Sequence, residues 1–215
     1  VMIHNILAFR FSNKLFEEGW DCDSIEQIRI RLLENLGVED RGAFYDGIGA
    51  LRDVGQNHML QMLALTTMSP PKEFTASGIR QKRYELLRTL QPLDRAQIKS
   101  QTARGQYRGY LTAKGIARNS QTETYFNIKV QLEAPQWKGV PVTLISGKAA
   151  GKSEKDIRIT FKHPQPCLCL AGSKHTFRNE VIFEIEPEES ICIRFWAKKP
   201  GLTMELEERK FYLPY

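Results

Sequence analysis

The chain has 215 residues, of which 41% are hydrophobic, enough for one large domain with a buried core. No apolar run approaches the ~20 residues of a membrane span, and no signal peptide is recognisable. The net charge of +6 is spread along the sequence, without the arginine stripe or aromatic platform typical of nucleic-acid binding. We therefore expect neither a membrane nor a nucleic-acid partner; the charge suits a small anionic ligand or no particular one.

The N-terminal residues predict an amphipathic helix from 1 to about 18. Its candidate buried side chains are Ile3, Leu7, Phe11 and Phe16. No N-cap residue precedes this helix and position 1 is not methionine, so we expect the chain to be a piece of a longer protein. Residues 28–32 alternate apolar and charged, which predicts a strand. Glu34 follows it, where side chains commonly project into sites.

A long helix is predicted over Tyr45–Met68, ending before Pro70 because proline cannot continue a helix. Apolar residues recur at steps of three and four, and the resulting stripe holds Ile48, Leu51, Gly55, His58, Met62 and Leu65. Gly55 should leave room beside His58, and Asp53 adds to a polar cluster at that turn. Five residues place Asp53 about 140° from His58 on an α-helix, so we expect it to reach a shared ligand rather than His58 itself.

His58 has two possible interpretations. A histidine on an apolar stripe is commonly a hydrogen-bonded core residue. A histidine can also act as a general base near neutral pH, provided that a carboxylate orients it. The polar side chains clustered around His58 keep the second interpretation open beside the first.

The rest of the chain changes from helices to strands. A third helix is predicted from about 76 to 90, and residues 91–122 are predicted to be irregular. Strands are then predicted at 124–132, 141–146, 157–161, 179–185, 190–196 and 204–208. Because strand follows strand with short links, the predicted class is α+β, with N-terminal helices packed on a large, mainly antiparallel sheet. No G-x-G-x-x-G motif occurs, so no dinucleotide-binding fold is expected in this chain.

The cysteines show no C-x-x-C spacing and stand at Cys22, Cys167, Cys169 and Cys192. They are expected to be free thiols in a reducing compartment, and no metal site is predicted. This expectation, together with the missing signal peptide, favours a cytoplasmic protein.

Residues 147–153 resemble a phosphate-binding P-loop, with the sequence Gly-Lys-Ala-Ala-Gly-Lys-Ser. Three residues rather than four separate the glycines, and a strand rather than a helix is predicted to follow, so an NTPase is disfavoured. Lys148 and Lys152 could still bind a phosphate as point charges. The alternative is a solvated hairpin loop with two ordinary surface lysines.

Several motifs together resemble the glucose-6-phosphate dehydrogenase family. Residues 52–58 match its R-D-x-x-Q-N-H signature, and residues 5–16 are similar to its N-x-x-x-x-R-F-x-N-x-x-F stretch. Further matches follow in family order at 41–46, 105–107, 137–141, 147–149, 178–180 and 198–201. The similarity covers nearly all of residues 1–215, which we interpret as the family's C-terminal substrate-binding and dimerisation domain, truncated at both ends.

The resemblance implies a reaction and a set of site residues. The family oxidises D-glucose 6-phosphate to 6-phospho-D-glucono-1,5-lactone with NADP as hydride acceptor, the first step of the pentose phosphate pathway. By resemblance, His58 is expected to be the general base that takes the proton from the anomeric hydroxyl. Glu34 and Asp53 match carboxylates that bind sugar hydroxyls, and Lys148 matches a substrate-binding lysine.

A second basic residue is expected close to Lys148. The family often has one five places further on, where this chain has Ser153. Lys152, beside that serine, is therefore the candidate for the second basic contact with the substrate.

The coenzyme is expected to bind outside this chain. By resemblance, the dinucleotide-binding domain precedes Val1, as does a D-H-Y-L-G-K segment with the carboxylate that orients the catalytic histidine. No coenzyme-binding residue is therefore expected here, and the fragment by itself is expected to be inactive. Some members hold a second NADP on the sheet, but Glu154, Glu184 and Cys192 stand at positions of its basic and tyrosine contacts. Two carboxylates there would repel phosphates, so that site is not expected.

The resemblance also implies a homodimer formed through the sheet. Apolar residues alternate along one predicted strand at Ile191, Ile193 and Phe195, and two glutamates lie on the neighbouring strand, Glu184 and Glu186. Such alternation predicts one face free to meet a partner. The alternative function is a non-catalytic sugar-phosphate-binding or oligomerisation module.

Overall fold

A computed structural model describes residues 2–167 and 177–215, with side chains from Asn5 onward. Within these residues, one sheet is formed by β1 (Ile25–Leu33), β2 (Thr102–Gly105), β3 (Tyr125–Val130), β4 (Val142–Gly147), β5 (Glu154–Phe161), β6 (Glu180–Glu186), β7 (Ser190–Lys198) and β8 (Leu206–Pro214). All seven predicted strands are confirmed. The predicted burial of Ile3 and the predicted thiol of Cys169 lie outside the described part.

The strand order is β2-β3-β4-β1-β5-β6-β7-β8. β1 and β4 run parallel, whereas the other neighbouring pairs in the described chain are antiparallel. The α+β class and the mainly antiparallel sheet are therefore confirmed. β4 and β5 do not form a hairpin as expected, because β1 lies between them in the sheet.

The helices are α1 (Met2–Phe11), α2 (Lys14–Glu17), α3 (Gly42–Asp46), a π-helical segment (Leu51–Met59) that continues into α4 (Leu60–Thr67), α5 (Ala76–Leu87) and α6 (Arg95–Gln101). The first predicted helix is two helices, since the Asn13 amide donates to the carbonyls of Ala8 and Phe9 and so caps the end of α1. Phe9 is buried, whereas Phe11 is only half-buried.

Residues 91–122 are more regular than predicted, because they contain α6 and β2. The Asp94 carboxylate accepts from the Gln97 backbone N–H, and the Gln97 side chain accepts from the Asp94 N–H. This reciprocal capping box is a recognised signal for a helix start. It was readable in the sequence, and it explains why the segment does not remain a loop.

Alternation along the strands gives the sheet two chemically different faces. The helix face, which packs against the helices, carries the buried side chains Ile28, Ile30, Leu32, Val142, Leu144, Ile157, Ile159, Val181, Phe183 and Ile191. The outer face carries paired charges, including Arg31–Asp156 at 2.6 Å, Arg158–Glu180 at 2.9 Å and Arg194–Glu180 at 2.8 Å.

The alternation along β7 leaves open which face of the sheet is free, and the structure shows which one the helices cover. Ile191 is buried in the core and Ile193 packs against it, so their face meets the helices and is not the one left uncovered. In addition, a β-bulge at Ile185 places Glu184 opposite Asp156 on the outer face, whereas Glu186 lies opposite Lys155 on the helix face. The two glutamates therefore do not share a surface.

Cys22 and Cys192 are free thiols, as predicted, but Cys167 is disulfide-bonded, so the prediction for that residue is wrong. Residues 2–167 and 177–215 contain no helix long and apolar enough to cross a membrane. The same residues contain no cluster of three or more histidine, cysteine or acidic side chains placed to hold a metal ion.

Candidate functional site

The π-helical segment and α4 form one continuous helix, here called the site helix. It begins at Ala50 rather than at the predicted Tyr45, because the chain turns through Gly49 with φ +80°. That left-handed conformation favours glycine, and a Cβ there would lie 2.5 Å from a carboxylate oxygen of Glu123. Glu123 accepts from the N–H of Ala50 through its carbonyl (3.0 Å) and from that of Leu51 through Oε1 (2.9 Å). A carboxylate therefore caps the start of the helix.

The hydrogen bonding of the site helix changes the relation between Asp53 and His58. Across Leu51–Met59 the bonds run from i to i+5, which stacks residues five positions apart. The α-helical expectation of about 140° between these two side chains is therefore wrong. Asp53 lies one π-turn before His58, so both belong to the same side of the helix. Such π-helical turns occur frequently at functional sites.

The other end of the site helix is held by buried side chains from three distant segments. Arg10 donates to the carbonyls of Leu65 (3.3 Å) and Met68 (2.9 Å). The indole N–H groups of Trp20 and Trp137 donate to the carbonyls of Thr66 and Thr67, each at 2.7 Å. These donors satisfy the last three carbonyls of the helix, which have no partner within it, and the carbonyl of Met68 directly after its end. The helix carrying Asp53 and His58 is thus fixed at both ends.

His58 does not lie in the core. It is exposed, and no hydrogen-bond or ion-pair partner for it is found among the described residues. Of the two interpretations of His58, the one that makes it a core residue is wrong. In the π-helical segment and α4, the buried side of the helix is formed by Gly55, Met59 and Met62. The space expected beside Gly55 is occupied by Phe126 of β3, whose ring would lie 3.0 Å from an added Cβ.

Glu34 and Lys148 meet at the carboxyl ends of the parallel strands β1 and β4. Lys148 Nζ lies 2.5 Å from Glu34 Oε2. Each residue directly follows its strand, and the Glu34 N–H donates to the Gly147 carbonyl at 2.9 Å. The carboxyl ends of parallel strands commonly bear ligand sites. Both residues were predicted from the family resemblance, and the loop that carries Lys148 joins β4 to β5 across β1 rather than forming a hairpin.

Tyr45 lies beside this pair, and its hydroxyl donates to the Glu123 carbonyl at 3.2 Å. Its ring centroid is 5.5 Å from Lys148 Nζ. Burial, followed by the charges of neighbouring groups that include Glu123, Asp53 and Glu34, raises the pKa of Tyr45 above its ordinary value. The phenol therefore stays neutral, and the carboxylates of Glu34 and Asp53 both lie near enough to influence it.

Two lysines keep Glu34 ionised. Burial opposes its ionisation, but the hydrogen bond from Lys148 and the charges of Lys148 and Lys155 outweigh burial and hold the pKa of Glu34 below its ordinary value. Lys155 Nζ lies 3.7 Å from Glu34 Oε1, so the two ammonium groups approach different oxygens of one carboxylate. An ionised Glu34 can accept hydrogen bonds from hydroxyl groups.

Glu34, Tyr45, Lys148 and Lys155 line a cavity of about 310 Å³, whereas Asp53 and His58 are not among its lining residues. This volume is within the range of small-ligand sites, about 300–1,000 Å³. Its charged lining residues are Glu34, Glu39, Arg41, Lys148, Lys155 and Glu186. Lys155 and Glu186 were not selected from the sequence. Lys152 does not reach the cavity, because its ammonium contacts Glu154 on the outer face.

The described residues do not fit a dinucleotide site. A pyrophosphate-binding turn joins a strand to a helix N-terminus, whereas β4 and its glycine-bearing loop lead into β5. On the outer face, Glu154 binds Arg31 at 2.5 Å and Glu184 accepts from the Ser190 hydroxyl at 2.5 Å. We therefore place no step of a reaction through a coenzyme bound to this chain.

Comparison with known proteins adds a family match. The family model described as "Glucose-6-phosphate dehydrogenase, C-terminal domain" matches residues 7–215. Among curated relatives, the glucose-6-phosphate 1-dehydrogenase of Dictyostelium discoideum is 34% identical over 100% of this chain and 44% of its own length. The enzyme of the same name from Buchnera aphidicola subsp. Schizaphis graminum is 38% identical over 94% of this chain and 44% of its own length. The chain thus spans less than half the length of these relatives.

Solved structures give a similar result. The glucose-6-phosphate 1-dehydrogenase of Mycobacterium avium superposes with a TM-score of 0.88 and 33% identity, over 99% of this chain and 45% of that one. A glucose-6-phosphate dehydrogenase solved in complex with its substrate, glucose 6-phosphate, gives a TM-score of 0.87 and 31% identity, over 100% and 44%.

Proposed function

Because the chain belongs to the glucose-6-phosphate dehydrogenase family as its C-terminal domain, we propose that the full-length parent oxidises D-glucose 6-phosphate to 6-phospho-D-glucono-1,5-lactone in the cytoplasm. NADP, the proposed hydride acceptor, is bound by a part of the parent outside this chain. The observation that carries the proposal is the Glu34–Lys148 pair, which faces a small cavity at the carboxyl ends of two parallel strands.

The roles of the side chains follow from their chemistry. His58, exposed on a rigid helix, accepts the proton of the anomeric hydroxyl, which lowers the cost of charge on that oxygen. Glu34 and Asp53 accept hydrogen bonds from sugar hydroxyls. Lys148 offers an ammonium to the phosphate. The proposal is tested by assaying the purified parent for NADP reduction with glucose 6-phosphate; binding without turnover would indicate a non-catalytic module instead.

Lys148→Ala should weaken glucose 6-phosphate far more than unphosphorylated glucose. Removing one charge-assisted contact costs about 1.5–3 kcal/mol, or roughly ten- to a hundredfold in KM if KM reflects binding. The measurement is kcat and KM for both sugars with the parent enzyme. Lys152→Ala is the control and should leave both constants nearly unchanged, since that side chain is 72% exposed on the outer face. Equal losses for the two sugars would remove phosphate recognition from Lys148.

The parent is further proposed to form a homodimer through the outer face of the sheet, which the described helices leave uncovered. This face mixes arginines and glutamates in alternating rows, so it can complement a second copy of itself. Tyr212, which is 47% exposed, lies on the outer face of β8 opposite Cys192.

Tyr212→Asp should dissociate the dimer, because it places an unpaired carboxylate in the interface. Sedimentation at micromolar concentration should show a dimer for the parent and a monomer for the variant. Phe211→Asp is the matched control. Phe211 is next to Tyr212 in the sequence but lies on the helix face of β8, opposite Ile193, so the dimer should persist. A monomeric parent, or a dimer lost only with Phe211→Asp, would contradict the proposed surface.

A further inference from the structure

We propose that Lys155 supplies the second cation of the sugar-phosphate site and, with Lys148, binds the phosphate group of the substrate. This inference rests on the proposed function, since it assigns a further residue to the same cavity. It differs from the sequence expectation, which assigned the role to Lys152. It also explains how the chain can lack a basic side chain at Ser153.

Strand alternation separates the candidate lysines onto opposite faces. Lys155 pairs in register with Leu32, a buried residue of the helix face, whereas Glu154 pairs with Leu33 on the outer face. Lys152 precedes the strand and contacts Glu154, so its ammonium follows that side chain to the outer face. Lys155 therefore projects toward the site helix and the cavity, where its side chain is only 21% exposed.

Ser153 does not compensate for the missing cation. Its hydroxyl accepts a hydrogen bond from the Asn35 N–H at 3.3 Å, which ties together the loops that follow β1 and β4. A neutral hydroxyl in that position provides no charge to neutralise a phosphate. Lys155, two residues further along the chain, is the next basic side chain that reaches the cavity.

The β-bulge in β6 places a carboxylate beside Lys155 and so fixes the position of its ammonium. By shifting the register at Ile185, it turns Glu186 onto the helix face directly opposite Lys155. Glu186 Oε1 then lies 2.8 Å from the Lys155 ammonium, and Glu34 Oε1 lies 3.7 Å from it on the other side. The two carboxylates hold the Lys155 ammonium at the wall of the cavity.

The spacing of the two ammonium groups suits an oxyanion. Lys148 contacts Oε2 of Glu34 while Lys155 approaches Oε1, so the two cations already span the two oxygens of a single carboxylate. A phosphate presents oxygens at similar separation and carries more charge. Each lysine has three donors, so each can contact the phosphate while keeping a bond to its carboxylate.

The test measures glucose 6-phosphate binding to the coenzyme-free, full-length parent by isothermal titration calorimetry. Lys155→Ala should raise Kd about 10- to 100-fold, as expected for loss of one charge-assisted bond. Lys155→Arg should keep most of the affinity because it keeps the charge. Lys152→Ala is the matched control, since it removes a lysine three residues earlier whose ammonium lies on the outer face, and it should change Kd less than twofold. Equal Kd values for Lys155→Ala and Lys152→Ala would overturn the proposal.

Two further arms identify what Lys155 contacts. Titration with glucose should show little difference between the parent and Lys155→Ala, whereas a loss equal to that for glucose 6-phosphate would overturn the phosphate assignment. Glu186→Gln removes one negative charge but keeps a side-chain oxygen that can still hold the Lys155 ammonium, so it should leave binding of glucose 6-phosphate equal or tighter. If Glu186→Gln weakened binding as much as Lys155→Ala, Lys155 would be a structural ion-pair partner and the proposal would fail. Because these arms measure binding, they remain decisive even for a parent without turnover, which would contradict only the proposed function.

Discussion

His58→Asn should lower kcat of the full-length parent by roughly 10²–10⁴-fold while changing KM much less, because it removes the proposed general base but keeps a polar side chain of similar size. The site helix should not be disturbed, since His58 is exposed and the helix is held at both ends by Glu123, Arg10 and two tryptophans. Steady-state kinetics with glucose 6-phosphate and NADP measure the effect.

Gln61→Ala provides the control for this experiment. Gln61 is exposed on the same helix and donates to the Asn57 side chain at 3.3 Å, so its truncation should change kcat less than threefold. A His58→Asn enzyme with near-normal kcat would show that the histidine takes no proton. A similar loss in both variants would point to a general disturbance of the helix rather than to the loss of a base.

Arg10→Met should destabilise the domain by about 3–5 kcal/mol, the usual consequence of breaking a buried ion pair by removing one partner. Arg10 is 2% exposed, and its guanidinium binds Glu17 through Nη2 at 2.9 Å and Nε at 3.1 Å. The same group satisfies the carbonyls of Leu65 and Met68, which would lose their donors in the variant. Denaturant unfolding of the parent, followed through this domain, measures the loss.

The ion pair itself can be separated from the carbonyl bonds. Adding Glu17→Leu to Arg10→Met should recover part of the lost stability, because it removes the uncompensated carboxylate. Lys14→Ala is the surface control. The Lys14 side chain is 86% exposed and pairs with Glu18 four residues later, an interaction worth at most about 0.5 kcal/mol. Equal effects for Arg10→Met and Lys14→Ala would contradict the structural role assigned to Arg10.

The strands could be predicted because alternation between apolar and charged residues is local information. Residues 28–32 alternate in this way, and β1 covers them. Which strands pair is not local information, so the parallel partnership of β1 with β4 was missed, and with it the true geometry of the Lys148 loop. Family resemblance nevertheless selected Glu34 and Lys148, which the structure brings into contact.

Positions that depend on irregular backbone were not predictable. The π-helical turn that brings Asp53 and His58 to the same side of the helix cannot be recognised from the spacing of apolar residues, which only indicates a helix of α-helical period. The bulge at Ile185 inverts the face of Glu186, and only the register with Lys155 reveals that inversion. Arg10 was recognised as part of a motif, but its contacts with carbonyls 55 and 58 residues away became visible only in three dimensions.

The place of β1 between β4 and β5 also affects how a nascent chain assembles. Its contacts reach far along the sequence: Glu34 and Lys148 are 114 residues apart, and Arg31 and Asp156 are 125 apart. A ribosome that adds ~5–20 residues per second needs roughly 6–25 s to supply both neighbouring strands. During that interval both backbone edges of β1 are unpaired, and its apolar side chains, including Ile28 and Ile30, are not yet buried. A strand in this state can pair with a wrong partner. The cavity lined by Glu34 and Lys148 therefore cannot form until β4 and β5 have emerged, late in the synthesis of this part of the chain.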